Sequence, residues 1–113
     1  MANLENIALL KDTIRAHEKS FNMNHWSQET SCGTVRCIGG WAEFLDPSIP
    51  ARDFIGLPPE LSGPLFYPPT KMTYDDITVE QALGALDVAI QSNATPGSIE
   101  DYWRLVEEEE GYR

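Results

Sequence analysis

The sequence predicts a mainly α fold, a small single-domain bundle of about five short helices with a proline-rich loop. Three observations predict it. Apolar residues recur at the spacing of a helical face in several separate stretches. Capping and stop residues bracket those stretches. A chain of 113 residues that is 42% hydrophobic also has room for one domain, residues 1–113, around one modest core.

The first helix is expected over Leu4 to Glu18, with Asn3 as its N-cap and Ile7, Leu10, Ile14 and His17 as its buried stripe. A histidine in that stripe reads first as a satisfied core residue. From Ser20 to Ser31 no helical pattern is sustained, so Phe21, Met23 and Trp26 are expected to turn inward from a connecting segment. The second helix is expected to start after Thr34, whose hydroxyl can accept the N–H of Cys37, and to end near Asp46 because Pro47 cannot continue it. Ile38, Trp41, Ala42 and Leu45 share its inner face. Gly39-Gly40 lowers helix propensity by about 1 kcal/mol per glycine, so close packing must compensate.

A short third helix is expected from Pro50 to Gly56. Leu57 to Pro69 holds five prolines, leaving room for one or two helical turns around Leu61, Leu65 and Phe66. Tyr67 to Ile77 reads as a surface loop with a short extended piece around Lys71–Tyr74. Thr78 and Gln81 form a capping box that opens a helix from Val79 to about Gln91. Val79, Leu83, Leu86 and Ile90 are its buried stripe, flanked by small Ala82, Ala85 and Ala89. After a turn at Ser92–Gly97, Ser98 is expected to cap a last, acidic helix over residues 99–110, with Tyr102, Trp103 and Val106 inward. Its terminal glutamates oppose the helix dipole, so fraying is expected unless a basic partner covers them.

Charge narrows the function classes. The formal net charge is −10. Residues 1–56 carry five Lys/Arg against seven Asp/Glu, and residues 57–113 carry three against eleven, so −8 falls in the second half. Such a field repels phosphate backbones and disfavours direct nucleic-acid binding. It suits a solvated acidic face or association with a protein that has a basic surface. The candidate protein-binding acids are Asp75, Asp76, Glu107, Glu108, Glu109 and Glu110. No apolar run approaches the roughly 20 residues of a membrane span. The first residues lack the basic and apolar parts of a secretory signal, so a cytoplasmic location is expected.

Two cysteines and two histidines are the residues with chemistry to spare. Cys32 and Cys37 stand in C-x4-C spacing, which is neither a zinc ribbon nor a thioredoxin-like pair. In the first turn of a helix, Cys37 would be favoured as a thiolate. Three readings stay open: two packed thiols, a local disulfide, or a zinc site completed by His17 and His25. A Cys–His hydrolase would need Cys37, His17 or His25 as base, and Asn22 or Asn24 as orienter. No Walker loop, dinucleotide fingerprint, H-E-x-x-H or EF-hand loop occurs. No catalytic constellation is complete and no cofactor is called for; zinc is the one metal the ligand set would suit. Trp26, Trp41 and Trp103 read as core. Phe66, Tyr67 and the prolines beside them are an alternative exposed patch.

The segment Cys32-Gly-Thr-Val-Arg-Cys37-Ile-Gly-Gly-Trp41-Ala42 resembles a set of small, uncharacterised bacterial and phage proteins built around a C-G-T-x-x-C-I-[AG]-G-W-A motif. The similarity extends to His17-x3-Phe21-x-Met23-x2-Trp26, to Ile55-Gly56-Leu57, to Leu65-Phe66-Tyr67-Pro68 and to Ile77-Thr78-x2-Gln81-Ala82. The resemblance implies a compact helical domain and carries no activity. The chain departs from the pattern at Pro58-Pro59, at Gly63-Pro64 and in its acidic last helix. The expectation is therefore a non-enzymatic interaction module acting through the acidic half, with a phage-type inhibitor that mimics nucleic acid as one concrete form. A thiol-redox or zinc protein centred on Cys32 and Cys37 is the alternative.

Overall fold

In a computed structural model, which describes residues 2–23, 28–30 and 33–111, Asn3 opens the first helix. Its side-chain oxygen accepts the N–H of Asn6 at 3.1 Å, and α1 runs Leu4–Ala16. Ile7, Leu10 and Ile14 are buried as the stripe predicts, but His17 is exposed. The helix stops short of Glu18 because the His17 N–H is shared between Thr13 and Ile14 carbonyls and the chain tightens into a 3-10 turn, Glu18–Ser20. Phe21 then bridges to Arg36 in parallel, with Arg36 N–H donating to Ser20 at 2.8 Å and Asn22 N–H to Arg36 at 2.9 Å. Met23 is buried and Phe21 half-buried; Trp26 lies outside the described residues.

A small antiparallel hairpin follows. Strand β1 (Gln28–Thr30) pairs with β2 (Gly33–Val35), with Glu29 opposite Thr34. Thr34 is therefore a strand residue and not the cap of the next helix. Thr and Val suit an extended, paired backbone better than a helix start, and the partner strand supplies what the local sequence does not show. The second helix, α2 (Ile38–Leu45), begins later, with Cys37 in the extended cap conformation. No side chain caps it. Ile38, Gly39, Gly40, Trp41 and Ala42 are all buried, so α2 is held by burial against α1 and against α3 (Ala51–Ile55).

Gly56 ends α3 in the left-handed region, φ 73°, where its N–H reaches Arg52 at 2.8 Å. Only glycine takes that conformation freely. The proline-rich stretch carries α4 (Pro59–Phe66), with Pro59 in its first turn and Pro64 inside it. Pro64 removes a bond to the carbonyl of exposed Glu60, where water can substitute. The following loop holds a 3-10 turn, Tyr74–Asp76, in place of an extended piece.

Thr78 and Gln81 make the capping box the sequence spells out: Gln81 N–H donates to Thr78 Oγ1 at 3.1 Å, and Thr78 N–H to Gln81 Oε1 at 3.0 Å. They open α5 (Val79–Ala89). The last helix, α6 (Pro96–Glu109), starts earlier than Ser98, because Thr95 is its cap and Ser98 is the residue that returns the bond to Thr95. Pro96 sits at the first helical position, where its fixed φ fits and its missing N–H costs nothing. The helix continues to Glu109.

One apolar cluster joins all six helices, centred on fully buried Trp103, Leu10, Ile14, Ile38, Ile55, Leu65, Leu83, Leu86 and Ile99. Helices α5 and α6 pack closely at Gly84. A Cβ there would lie 2.2 Å from Tyr102 Oη, which donates to the Gln81 carbonyl at 2.6 Å. Gly84, and not only the flanking alanines, makes this contact fit.

Candidate functional site

The acidic half converges through α5 and α6. The six-residue connection and the contacts at their other ends make the two helices antiparallel, so the start of α5 meets the end of α6. Gln81 joins them: its Oε1 accepts Thr78 N–H, while its Nε2 donates to Glu110 at 2.9 Å. Asp75 and Asp76 are exposed in the turn that leads into α5. The acids singled out in the sequence thus lie around one end of the bundle.

They do not act alike. Glu107 Oε1 accepts the Thr70 hydroxyl at 2.8 Å and the Lys71 N–H at 2.9 Å, pinning the loop after α4 to α6. Those two bonds, the backbone one first, hold its carboxyl below the ordinary glutamate range. Glu107 is an anchor, and the run expected to form one docking strip is divided. Beside it a cleft of about 630 Å³ opens between Pro68–Lys71 and Glu100, Arg104 and Glu107, with both charge signs on its walls. Glu110 is engaged by Gln81. Glu108 and Glu109 remain exposed, and with Asp101 they surround Leu105 at helical spacing. Leu105 is 60% exposed, a large apolar side chain with acids on either side, of which Asp101 is paired with Arg104 at 3.0 Å.

Part of the acidic half is already paired within the fold, where α5 faces α1. Lys11 of α1 meets Asp87 of α5 at 2.5 Å, and Arg15, one turn on, lies 3.4 Å from Glu80. Two cations four residues apart on one helix thus lie against acids seven residues apart on the other. The charges of Glu80, Asp87 and Glu109 reach Tyr102 as well. Its hydroxyl is pushed up to about 12, first by burial and then by those three carboxylates.

The cysteine region reads differently. Cys37 is a free thiol, buried at the cap of α2. Burial pushes it up, and the nearby N–H groups of Gly40 and Gly39 oppose that without overcoming it. The thiol is held protonated, opposite to the thiolate that a helix start favours, because loss of solvent outweighs the dipole here. His17 is not a core residue. Its ring lies 5.0 Å from Trp41, and its Nδ1 sits 2.8 Å from the Thr13 carbonyl. Cys32, His25 and Asn24 lie outside the described residues. Among the described residues, no three His, Cys, Asp or Glu side chains are grouped to hold a metal ion. Phe66 is buried and Tyr67 exposed, so the aromatic patch read from the sequence is not one surface.

Comparison with known proteins finds no matching family, no matching curated protein and no matching solved structure. Among the described residues no helix is long and apolar enough to cross a membrane.

Proposed function

We propose that this protein is a non-enzymatic, cytoplasmic interaction module that binds a basic protein surface through the outer face of α6. The observation that carries the reading is Leu105, exposed between Asp101, Glu108 and Glu109. An apolar anchor beside Glu108 and Glu109, unpaired among the described residues, with Asp101 paired to Arg104 at 3.0 Å on its other side, gives a partner both contact area and sign selectivity. The −8 charge of residues 57–113 supports it by steering basic surfaces toward this end. The end of α6 adds the negative pole of its dipole, where cations are favoured. An inhibitor that mimics nucleic acid, of the phage type, is one concrete form: its partner would be a protein whose basic surface otherwise holds phosphates.

The test is binding of a labelled helical peptide of alternating lysine and leucine turns, followed by fluorescence anisotropy. Binding should weaken about tenfold in Leu105→Ser and in the Glu108→Gln/Glu109→Gln pair, and should fall with added salt. Equal affinity of wild type and both variants would overturn the reading. For the mimic form, excess duplex DNA should displace the protein from the partner it captures, and capture that DNA leaves untouched would overturn that form.

A further inference from the structure

A second surface has the opposite character. Arg36 is half-buried, and its guanidinium lies 4.5 Å from the Phe44 ring centroid and 5.0 Å from that of Trp41. The Trp41 and Phe44 rings meet edge to face at 5.4 Å. The His17 ring also meets Trp41, tilted by 35° with centroids 5.0 Å apart. Phe44 is 55% exposed, although its helix is otherwise buried on most sides. Among the described side chains, which do not include those of the β1–β2 hairpin, neither Arg36 nor Lys19 has a carboxylate within ion-pair distance, in a chain with more than twice as many acids as bases. Beside the stack, a cleft of about 540 Å³ is lined by Arg15, His17, Glu18 and Lys19 at the end of α1.

We propose that this ledge and cleft form a second docking surface, which takes an acidic segment of a partner protein, with a carboxylate on Arg36 and an apolar side chain on Phe44. Stacking on the two rings fixes the plane of the guanidinium and leaves its N–H edge to donate, a geometry that suits a bidentate carboxylate. An exposed aromatic beside an arginine is also the residue pairing that interface cores favour. The rest of the chain selects the class of anion. A long phosphate backbone would run into the −10 field around the ledge, whereas a short acidic segment presents its charge locally. The surface is separate from Leu105 and the outer face of α6, so this inference stands or falls apart from the function proposed above.

The probe is a labelled peptide of alternating glutamate and leucine. Wild-type protein should bind it saturably. Phe44→Ala, which removes an exposed ring, and Arg36→Lys, which keeps the charge but loses the planar fork, should each weaken binding about tenfold. Glu108→Gln/Glu109→Gln should leave it unchanged. Circular dichroism melts of the Phe44→Ala variant identify it as folded independently of the packing around Arg36. The proposal is overturned by no saturable binding, by equal affinity in Phe44→Ala and Arg36→Lys, or by a single-stranded oligonucleotide that binds the same residues more tightly than the peptide.

Discussion

Helices α5 and α2 begin in contrasting ways. At α5, Thr78 and Gln81 satisfy each other's backbone N–H groups, so the start is specified within four residues. At α2, Cys37 stands in the cap conformation with no side-chain cap, two glycines follow, and the first five helical residues are all buried. The first start is written locally. The second exists because α1 and α3 cover it. Local signals and tertiary burial are therefore separable causes of helix formation in this one small chain.

The largest expected effect tests whether α5, though locally specified, also depends on fit. Gly84→Ala places a Cβ on the Tyr102 hydroxyl and ring. Overpacking of this kind costs about 3 kcal/mol, read as a fall in the urea midpoint at unchanged slope. Tyr102→Phe removes the nearest clashing atom, so the double variant should be less destabilised than the two single variants summed. Strict additivity would mean that the interlock does not hold the pair together. Tyr102 gives a second readout. Its pKa is raised in the fold, so this contribution to stability is complete below the ordinary tyrosine value and is lost as pH rises toward about 12. A tyrosinate absorbance step near that pH should vanish in Tyr102→Phe.

The next effect addresses α2. Cys37→Ala removes a buried sulfur and should cost about 2 kcal/mol. Cys37→Ser loses the same apolar contact but puts a good capping hydroxyl at a residue already in cap conformation, with the N–H groups of Gly39 and Gly40 nearby. Serine should therefore be at least as stable as alanine in thermal melts. A markedly less stable serine variant would show that α2 has no use for a cap and that its start is set by burial alone.

The two starts also explain what was readable. Asn3, Thr78, Gly56 and the stripes of α1 and α5 were legible because each signal lies within one or two turns of the residue it controls. Thr34 has the chemistry of a cap, but strand β1 recruits it across a hairpin, and pairing of that kind leaves no trace in local spacing. Ser98 belongs to a capping box as its returning half and not as its cap; locally Pro96-Gly97 reads as a turn, although Pro96 is the first helical residue. The candidate site was legible as charge and illegible as geometry. Nothing local distinguishes Glu107, which anchors Thr70 and Lys71, from Glu108 and Glu109, which face solvent. The one local signal the sequence carries for this surface is Leu105, an apolar residue off the buried stripe of Ile99, Trp103 and Val106. Arg36 is illegible for a similar reason: its ring partners are on the next helix, in register only once β2 and α2 are placed.

Thr78→Ala should cost about 1 kcal/mol, the ordinary value of a lost N-cap. The same change at Thr34 should not show that signature, since Cys37 and not Thr34 stands at the cap of α2 and Thr34 is a strand residue. Hydrogen exchange separates the two. Loss of protection confined to the first turn of α5 is expected for Thr78→Ala, and equal loss at the start of α2 for Thr34→Ala would contradict the strand assignment.

The smallest effect is the pH dependence of the Glu107 anchor. Its folded pKa lies below the ordinary glutamate value because the Lys71 N–H and the Thr70 hydroxyl both favour the carboxylate. The sign follows from linkage: the contribution is complete above the ordinary value, near 4.5, and is lost as pH falls from there through the depressed folded pKa. The residue is only half-buried and its carboxyl lies at the surface, so solvent screening keeps the effect under about 1 kcal/mol. Glu107→Gln keeps an acceptor oxygen for both donors but does not titrate. The difference in stability between wild type and Glu107→Gln should therefore shrink or reverse as pH falls through that window, and proteolysis in the Pro68–Thr70 stretch of wild type should rise with it. A difference that stays constant with pH would mean that the bonds to Thr70 and Lys71 do not depend on charge. Glu107 would then be returned to the same solvated set as Glu108 and Glu109.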